Sequence, residues 1–215
     1  MNKANFEQLA NEIAKSLLEI EAVALRPNDP FTWTSGIKSP IYCDNRLTMT
    51  YPEIREKVAD GFVTLIKELY PQAEVIAGTS TAGIPHAAWV AQKLNLPMVY
   101  IRDKAKGHGK QNQIEGRLLP GQKVIVIEDL ISTGGSSLKA ALAVKEAGAE
   151  PLAVLAIFTY QFQSAIQSFS EAGIALHTIS NYTALIQEAL ASGKIAESEV
   201  ASLQAWREDP TSYGK

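Results

Sequence analysis

The run Val124-Ile-Val-Ile-Glu-Asp-Leu-Ile-Ser-Thr-Gly-Gly-Ser-Ser-Leu-Lys-Ala sets two adjacent acids, Glu128 and Asp129, at the end of an apolar stretch, followed by a loop of small residues and then a helical pattern. Gly134 and Gly135 let backbone amides turn towards an anion, the hydroxyls of Ser132, Thr133 and Ser136 add donors, and the helix beyond presents its positive N-terminal end. This is chemistry for holding a phosphate. Two carboxylates beside such a loop can grip the vicinal hydroxyls of a ribose, and through water they can help hold Mg²⁺, an ion that prefers oxygen ligands. The loop has neither the closing Gly-Lys-Ser/Thr of a Walker loop nor the Gly-x-Gly-x-x-Gly of a dinucleotide fingerprint.

A second constellation is cationic. In Tyr100-Ile-Arg-Asp-Lys-Ala-Lys-Gly-His-Gly-Lys-Gln-Asn-Gln-Ile-Glu-Gly, Arg102, Lys104, Lys106 and Lys110 stand against Asp103, and Gly107, Gly109 and Gly116 predict a loop that moves. Most charge runs are solvated surface. Beside a phosphate loop, however, this one fits a clamp on a departing diphosphate, because stabilising charge that develops on leaving oxygens is usually the largest catalytic contribution. His108, between two glycines, can add a hydrogen bond or a proton.

The elements that must position these groups follow from periodicity. Five short apolar runs rich in β-branched residues, at 74–78, 98–101, 123–128, 152–158 and 174–179, read as buried strands. Helical stretches over 84–95, 136–147 and 163–172 lie between them, the last two ending at Gly148 and Gly173. This alternation predicts an α/β fold with a parallel, doubly wound sheet, whose ligands bind beyond the carboxyl ends of the strands, in the loops after Gly78, Arg102 and Glu128. Phe6, Leu9, Ile13 and Leu17 mark a helix over 5–20, with Asn5 and Gln8 as its capped start, and Pro52 opens another that carries Val58, Phe62, Leu65 and Leu69. The aperiodic text from 24 to 50 predicts short strands and turns forming a hood over the site. Three parts are therefore expected: a helix and hood at 1–50, a core at 51–180 and a helical tail at 181–215.

Composition narrows the functional classes. A chain of 215 residues with 46% apolar content can bury a sizeable core, and 20 Lys plus Arg against 23 Asp plus Glu leave a net charge of −3, which argues against wholesale binding of nucleic acid or membrane. Trp33, Trp89 and Trp206 are scattered rather than set as a stacking platform for single strands. Cys43 is the only cysteine, and together with a charged N-terminus lacking a signal-peptide pattern it points to a reducing cytoplasm. No run approaches the roughly 18 apolar residues of a spanning helix. His86, opening a helix, and His177, in a strand, are expected to be packed or capped rather than catalytic. Cys43 is expected to be a small buried residue near the hood, and no Cys/His spacing suits zinc.

The strand, acid pair, loop and helix together resemble the diphosphoribose-binding motif of the type I phosphoribosyltransferases. The Arg-x-Lys-x-Lys-x-His-Gly spacing, the downstream Ile114-Glu115-Gly116, the hood segment Thr32-Trp-Thr-Ser-Gly-Ile-Lys-Ser-Pro-Ile-Tyr-Cys-Asp-Asn-Arg and Gly78-Thr-Ser-Thr-Ala-Gly-Ile-Pro-His are similar to the orotate-using branch of that family. The resemblance covers about residues 20 to 190. It implies transfer of a phosphoribosyl group from 5-phosphoribosyl 1-diphosphate to orotate, with Mg²⁺ held mainly by substrate and water, on a homodimer whose active sites are shared. It also implies that Arg102, Lys106 and His108, with Glu128, Asp129, Leu130, Ile131, Ser132, Thr133, Gly134, Gly135 and Ser136, bind the diphosphoribose, with Lys106, His108 and Asp129 the catalytic group. Ser132 would lie near both phosphate and base. Arg46, a cation in the hood, is our own choice of partner for the orotate carboxylate. The chain departs from some relatives at Thr34 and Ala82, where they carry Lys, at Asp103, again Lys in some, and near Tyr160 or Gln161, where they carry Arg. A purine or uracil phosphoribosyltransferase is disfavoured by the loop from Arg102 to His108. A non-catalytic sensor of the diphosphoribose is disfavoured by the absence of a DNA-binding module or broad basic face.

Overall fold

The computed structural model describes residues 3–32, 36, 38–103 and 113–213. Helix α1 (Lys3–Glu19) is followed by four short strands, β1 (Val23–Leu25), β2 (Phe31–Thr32), β3 (Lys38–Ser39) and β4 (Ile41–Cys43), and a 3-10 turn at Asn45–Thr50. Next come α2 (Pro52–Leu69), β5 (Val75–Thr79), α3 (Gly83–Leu94), β6 (Met98–Ile101), β7 (Ile114–Glu115), β8 (Lys123–Ile131), α4 (Gly135–Glu146), β9 (Glu150–Thr159), α5 (Gln163–Ala172) and β10 (Ala175–Thr178). Helices α6 (Tyr182–Ala191) and α7 (Glu197–Glu208) close the described chain. Among the described residues one sheet runs in the order β10-β9-β8-β5-β6-β7, parallel throughout except for β7, which pairs antiparallel with β6.

Apolar runs become strands here because both faces of the sheet are covered. Ile76, Ile125, Ile127, Leu155 and Ile157 point into one core with Val58 and Phe62 of α2 and Val90 of α3. Their neighbours Val75, Ala77, Val124, Val126 and Val154 point into a second core with Ala140 and Val144 of α4 and Phe169 of α5. A period of two with both phases apolar is the signature of a doubly covered sheet. The helix bounds have local causes. Pro52 supplies the first-turn geometry of α2, and Gly173, at φ +66, closes α5 in the left-handed region. Gly83 has another role: a β-carbon there would collide with the carbonyl oxygen of Ile127 and the hydroxyl of Thr79, so its lack of a side chain lets α3 lie against β8.

Two expectations change. Helix α1 is already formed at Lys3, so Asn5 lies inside it, and Gln8 donates to Glu12 at 2.9 Å one turn on rather than capping a start. Strand β8 runs through the acid pair to Ile131, held by pairing of Glu128, Leu130 and Ile131 with β9. Glu128 and Asp129 thus lie inside this strand, and the turn to α4 begins after Ile131. Between 24 and 50 the expected short strands are present as two separate antiparallel pairs, β1 with β4 and β2 with β3. Trp206 of α7 is fully buried, its ring set against Tyr160, Phe162 and Tyr182, which ties the last helix to the end of β9.

Candidate active site

Adjacent residues of a strand face opposite ways, and this separates the two acids of β8. Glu128 is buried, 8% exposed, with one carboxylate oxygen accepting from the Ser137 hydroxyl at 3.0 Å and the other from the Asp129 amide at 2.9 Å. Burial, reinforced by the neighbouring Asp129 carboxylate, pushes its pKa up to about 7. Asp129 is only half-buried. Its backbone carbonyl receives the side-chain amide of Asn45 at 2.7 Å, and Asn45 is itself fully buried. Thr48 donates to the Asn45 carbonyl at 2.6 Å, so the 3-10 turn after the hood strands is fastened to the acid pair.

The phosphate loop is built by unlike glycines. Gly134 has φ +78 and serves as the N-cap of α4, and a β-carbon on it would sit 2.9 Å from the Phe169 ring. Among the described residues Gly135 has nothing within 4 Å of the place a β-carbon would occupy. The first glycine is required by backbone and packing, whereas the second borders open space. Ser132 is half-buried, Thr133 and Ser136 are exposed, and Leu130 and Ile131 pack inward, carrying the backbone of the turn rather than offering side chains to a ligand. Ser136 is thus available to a ligand while its neighbour Ser137, 1% exposed, is spent on Glu128.

Beside the loop lies a cleft lined by Thr79, Ser80, Ile101, Arg102, Asp103, Gln113, Glu128, Ser136, Lys139 and Ala140. Its walls are the ends of β5 and β6 on one side and the first turns of α4 on the other. The Asp103 amide donates to the Ser80 hydroxyl at 3.2 Å, and the Ser80–Thr81 peptide is cis. Across the base of the cationic loop the Arg102 amide donates to the Gln113 carbonyl at 2.8 Å, and the Gln113 side chain returns a bond to the Arg102 carbonyl at 3.0 Å. The two ends of that loop are therefore clasped at the sheet edge where the cleft opens. Arg102 also pairs with Glu115 at 3.2 Å. Lys104, Lys106, His108 and Lys110 lie outside the described residues, as does Thr34.

Arg46 is placed at the rim of the hood. Its guanidinium meets Asp44 twice, at 2.6 and 2.8 Å, and its side chain is 60% exposed. That hydrogen-bonded guanidinium holds the Asp44 carboxyl below its ordinary range. Tyr160 is buried in the aromatic cluster, and the Gln161 side chain accepts from the amide and hydroxyl of Thr183 at 3.0 and 2.7 Å. Both expected structural histidines are packed. His177 shares a 2.8 Å hydrogen bond with the Tyr70 hydroxyl. His86 is 1% exposed, edge-on to Trp89, and among the described residues neither of its ring nitrogens has a hydrogen-bond partner, while desolvation lowers its pKa to about 4. Cys43 is half-buried with its thiol 3.4 Å from the Asn45 side-chain oxygen, and burial pushes that thiol well up.

Three contributors are invisible in the motif. Asn45 stands in the quoted hood segment, and Ser137 within the loop run, but neither shows in sequence that it reaches an acid. Lys139 stands near the end of the same run at helical spacing from Ser136, and that spacing is the signal that would have placed it on the same face of α4 as Ser136.

A model of the phosphoribosyl transferase domain matches residues 51–166. An orotate phosphoribosyltransferase of Enterococcus faecalis is 59% identical over 208 residues, covering 97% of this chain and 99% of its own. Among solved structures, the UMP synthase of Leishmania donovani superposes with a TM-score of 0.79 at 28% identity over 94% of this chain, which spans 43% of that longer protein. The orotate phosphoribosyltransferase of Aeropyrum pernix superposes at 0.74 with 24% identity over 86% of this chain and 99% of its own, a likeness of fold.

Proposed function

The chain belongs to the phosphoribosyltransferase family and to its orotate phosphoribosyltransferases, and from that premise we propose how its own residues divide the reaction. The enzyme transfers the 5-phosphoribosyl group from 5-phosphoribosyl 1-diphosphate to orotate, giving orotidine 5′-monophosphate and diphosphate. N1 of orotate gives up its proton to solvent and bonds to the anomeric carbon as the bond from that carbon to the diphosphate oxygen breaks, and the diphosphate leaves with the electron pair. The observation that carries the division of roles is the single edge of the sheet at which β8 ends in Glu128 and Asp129, α4 begins after Gly134, and Arg102 and Gln113 clasp the cationic loop.

In this reading the turn from Leu130 and Ile131 through Ser132, Thr133, Gly134, Gly135 and Ser136 takes the 5′-phosphate, using backbone amides and the N-terminal end of α4. Asp129 meets the ribose hydroxyls, and Glu128 supports it from behind. Arg102, Lys106 and His108 take the diphosphate, His108 donating a hydrogen bond or its proton to a departing oxygen. Ser132 lies between phosphate and base, and Arg46 turns from Asp44 to the orotate carboxylate. Positioning replaces a bimolecular encounter, and closure of the loop keeps water from the activated sugar.

Phosphoribosyltransferases of this type generally use Mg²⁺ with the diphosphoribose. Among the described residues no group of three His, Cys, Asp or Glu side chains forms a cage for an ion. One half-exposed carboxylate with a second behind it fits an ion that arrives with the substrate, since Mg²⁺ is commonly held by one or two carboxylates plus phosphate oxygens and water. Bound there, it supplies charge that neutralises the diphosphate. We further propose a homodimer whose loops complete each other's sites, a three-part chain of hood (1–50), core (51–180) and tail (181–215), and a cytoplasmic setting that suits the single cysteine. No described helix is long and apolar enough to cross a membrane.

Two measurements test this reading. Given 5-phosphoribosyl 1-diphosphate, Mg²⁺ and a panel of bases, the enzyme should consume orotate, and efficient use of hypoxanthine, guanine or uracil with orotate inert would sink the assignment. Gly135→Ala should melt with wild-type Tm, because its β-carbon meets nothing within 4 Å among the described residues. The same methyl group enters the space assigned to the 5′-phosphate, so titration should show affinity for the diphosphoribose lowered about tenfold or more. Wild-type affinity in that variant would move the phosphate elsewhere.

A further inference from the structure

We propose that Lys139 is a binding residue for the diphosphate of the substrate, a cation supplied from α4 across the cleft from Arg102. Ser136, Lys139 and Ala140 stand at i, i+3 and i+4 and all three line the cleft, so one face of α4 forms its wall. Ala140 is buried and small, which lets this part of the helix approach the sheet. The opposite wall is Thr79 and Ser80 after β5, with Arg102 and Asp103 after β6. A group lodged there lies beside the phosphate turn and at the clasped base of the cationic loop, the two places the reaction needs anions held.

The charges within the cleft separate its two cations. Arg102 is already engaged by Glu115 at 3.2 Å. Lys139 is exposed and has no ion pair among the described residues, although Glu128 lines the same cleft. Glu128 is turned inward, 8% exposed, with its two oxygens accepting from the Ser137 hydroxyl and the Asp129 amide, whereas Lys139 stands on the exposed side of the wall. The ammonium of Lys139 therefore remains solvated until an anion arrives, and it exchanges water for charged oxygens without first breaking an internal pair. A diphosphate, with several charged oxygens, is the part of the substrate that rewards cations on two opposed walls. The 5′-phosphate is met instead by the backbone and hydroxyls one turn earlier.

This inference rests on the reading of the site given above, and the test separates the two. Lys139→Gln and Lys139→Arg are compared with wild type by titration with inorganic diphosphate and Mg²⁺, by titration with orotidine 5′-monophosphate, which has a 5′-phosphate but no diphosphate, and by steady-state kinetics. Lys139→Gln should weaken inorganic diphosphate about tenfold and raise KM for 5-phosphoribosyl 1-diphosphate to a similar degree. KM for orotate, affinity for the monophosphate and Tm should stay at wild-type values, and Lys139→Arg should restore most of the loss. Unchanged diphosphate affinity in Lys139→Gln overturns the proposal, and so does a loss seen equally with the monophosphate, which would assign the contact to the 5′-phosphate. A wild type that consumes no orotate would defeat the functional reading alone, because the diphosphate titration still decides the contact.

Discussion

Lys106→Ala should lower kcat by about 10² or more while leaving thermal stability unchanged, since the loss of one preorganised charge donor has effects of that size. The ammonium matters most when negative charge builds on the oxygens leaving the anomeric carbon, so the effect belongs to kcat more than to substrate binding. Lys106 belongs to the segment between Arg102 and Gln113, whose clasped ends open at the cleft. If that segment serves the neighbouring subunit's site, inactive Lys106→Ala chains mixed with inactive Asp129→Asn chains should regain activity, because each mixed dimer holds one intact site. A Lys106→Ala enzyme with wild-type kcat would reject the catalytic role. A slow mutant that fails to complement in verified mixed dimers would keep the role and reject the shared site.

The second large effect concerns acid stability and resides in His86. Its folded pKa, about 4, lies below the ordinary value of 6.5 because the ring is buried, and among the described residues neither nitrogen has a hydrogen-bond partner. Between pH 6.5 and 4 the unfolded chain takes up a proton that the folded one refuses, so stability falls as pH falls across that window, by about 3 kcal/mol in all. Glu128 works in the opposite direction. Its folded pKa of about 7 lies above the ordinary 4.5, so the folded state keeps a proton the unfolded chain has lost, and stability falls as pH rises from 4.5 to 7. The wild-type profile mixes the two, and only a comparison isolates the histidine. His86→Leu, of similar volume, removes the proton-binding group and the two unbonded nitrogens, so its urea stability at pH 4.5 relative to pH 7 should exceed that of wild type by about 2–3 kcal/mol. Parallel profiles for the two proteins would mean that the folded ring charges normally.

What could be read directly from the chain was whatever depends on neighbours in sequence. The β-branched runs at 98–101 and 123–128, the helix over 163–172 with Gly173 at its end, and Pro52 at the start of α2 all express backbone preferences and periodicity that act over a few residues. The placement of the acid pair and the small-residue turn between β8 and α4 was legible for the same reason: both are written in contiguous text. The supposed cap at Asn5 failed because caps are weak signals, and the tertiary contacts of an amphipathic stripe decide where such a helix begins.

The local text did not contain the different surroundings of Glu128 and Asp129, the fastening of Asn45 to a carbonyl 84 positions away, or the lining of one cleft by both Lys139 and Arg102. Residue type alone makes the two acids equivalent. They differ because strand pleat turns one towards Ser137 beneath α4 and leaves the other half-open, and burial then shifts the pKa of the first. The sequence by itself therefore determined which chemistry the protein carries and which elements hold it. Which side chains are spent on holding the fold, and which remain exposed, was decided only when the parallel crossovers brought β5, β6, β8 and α4 to one edge, because burial and pairing are sums over contacts that no local stretch of chain contains.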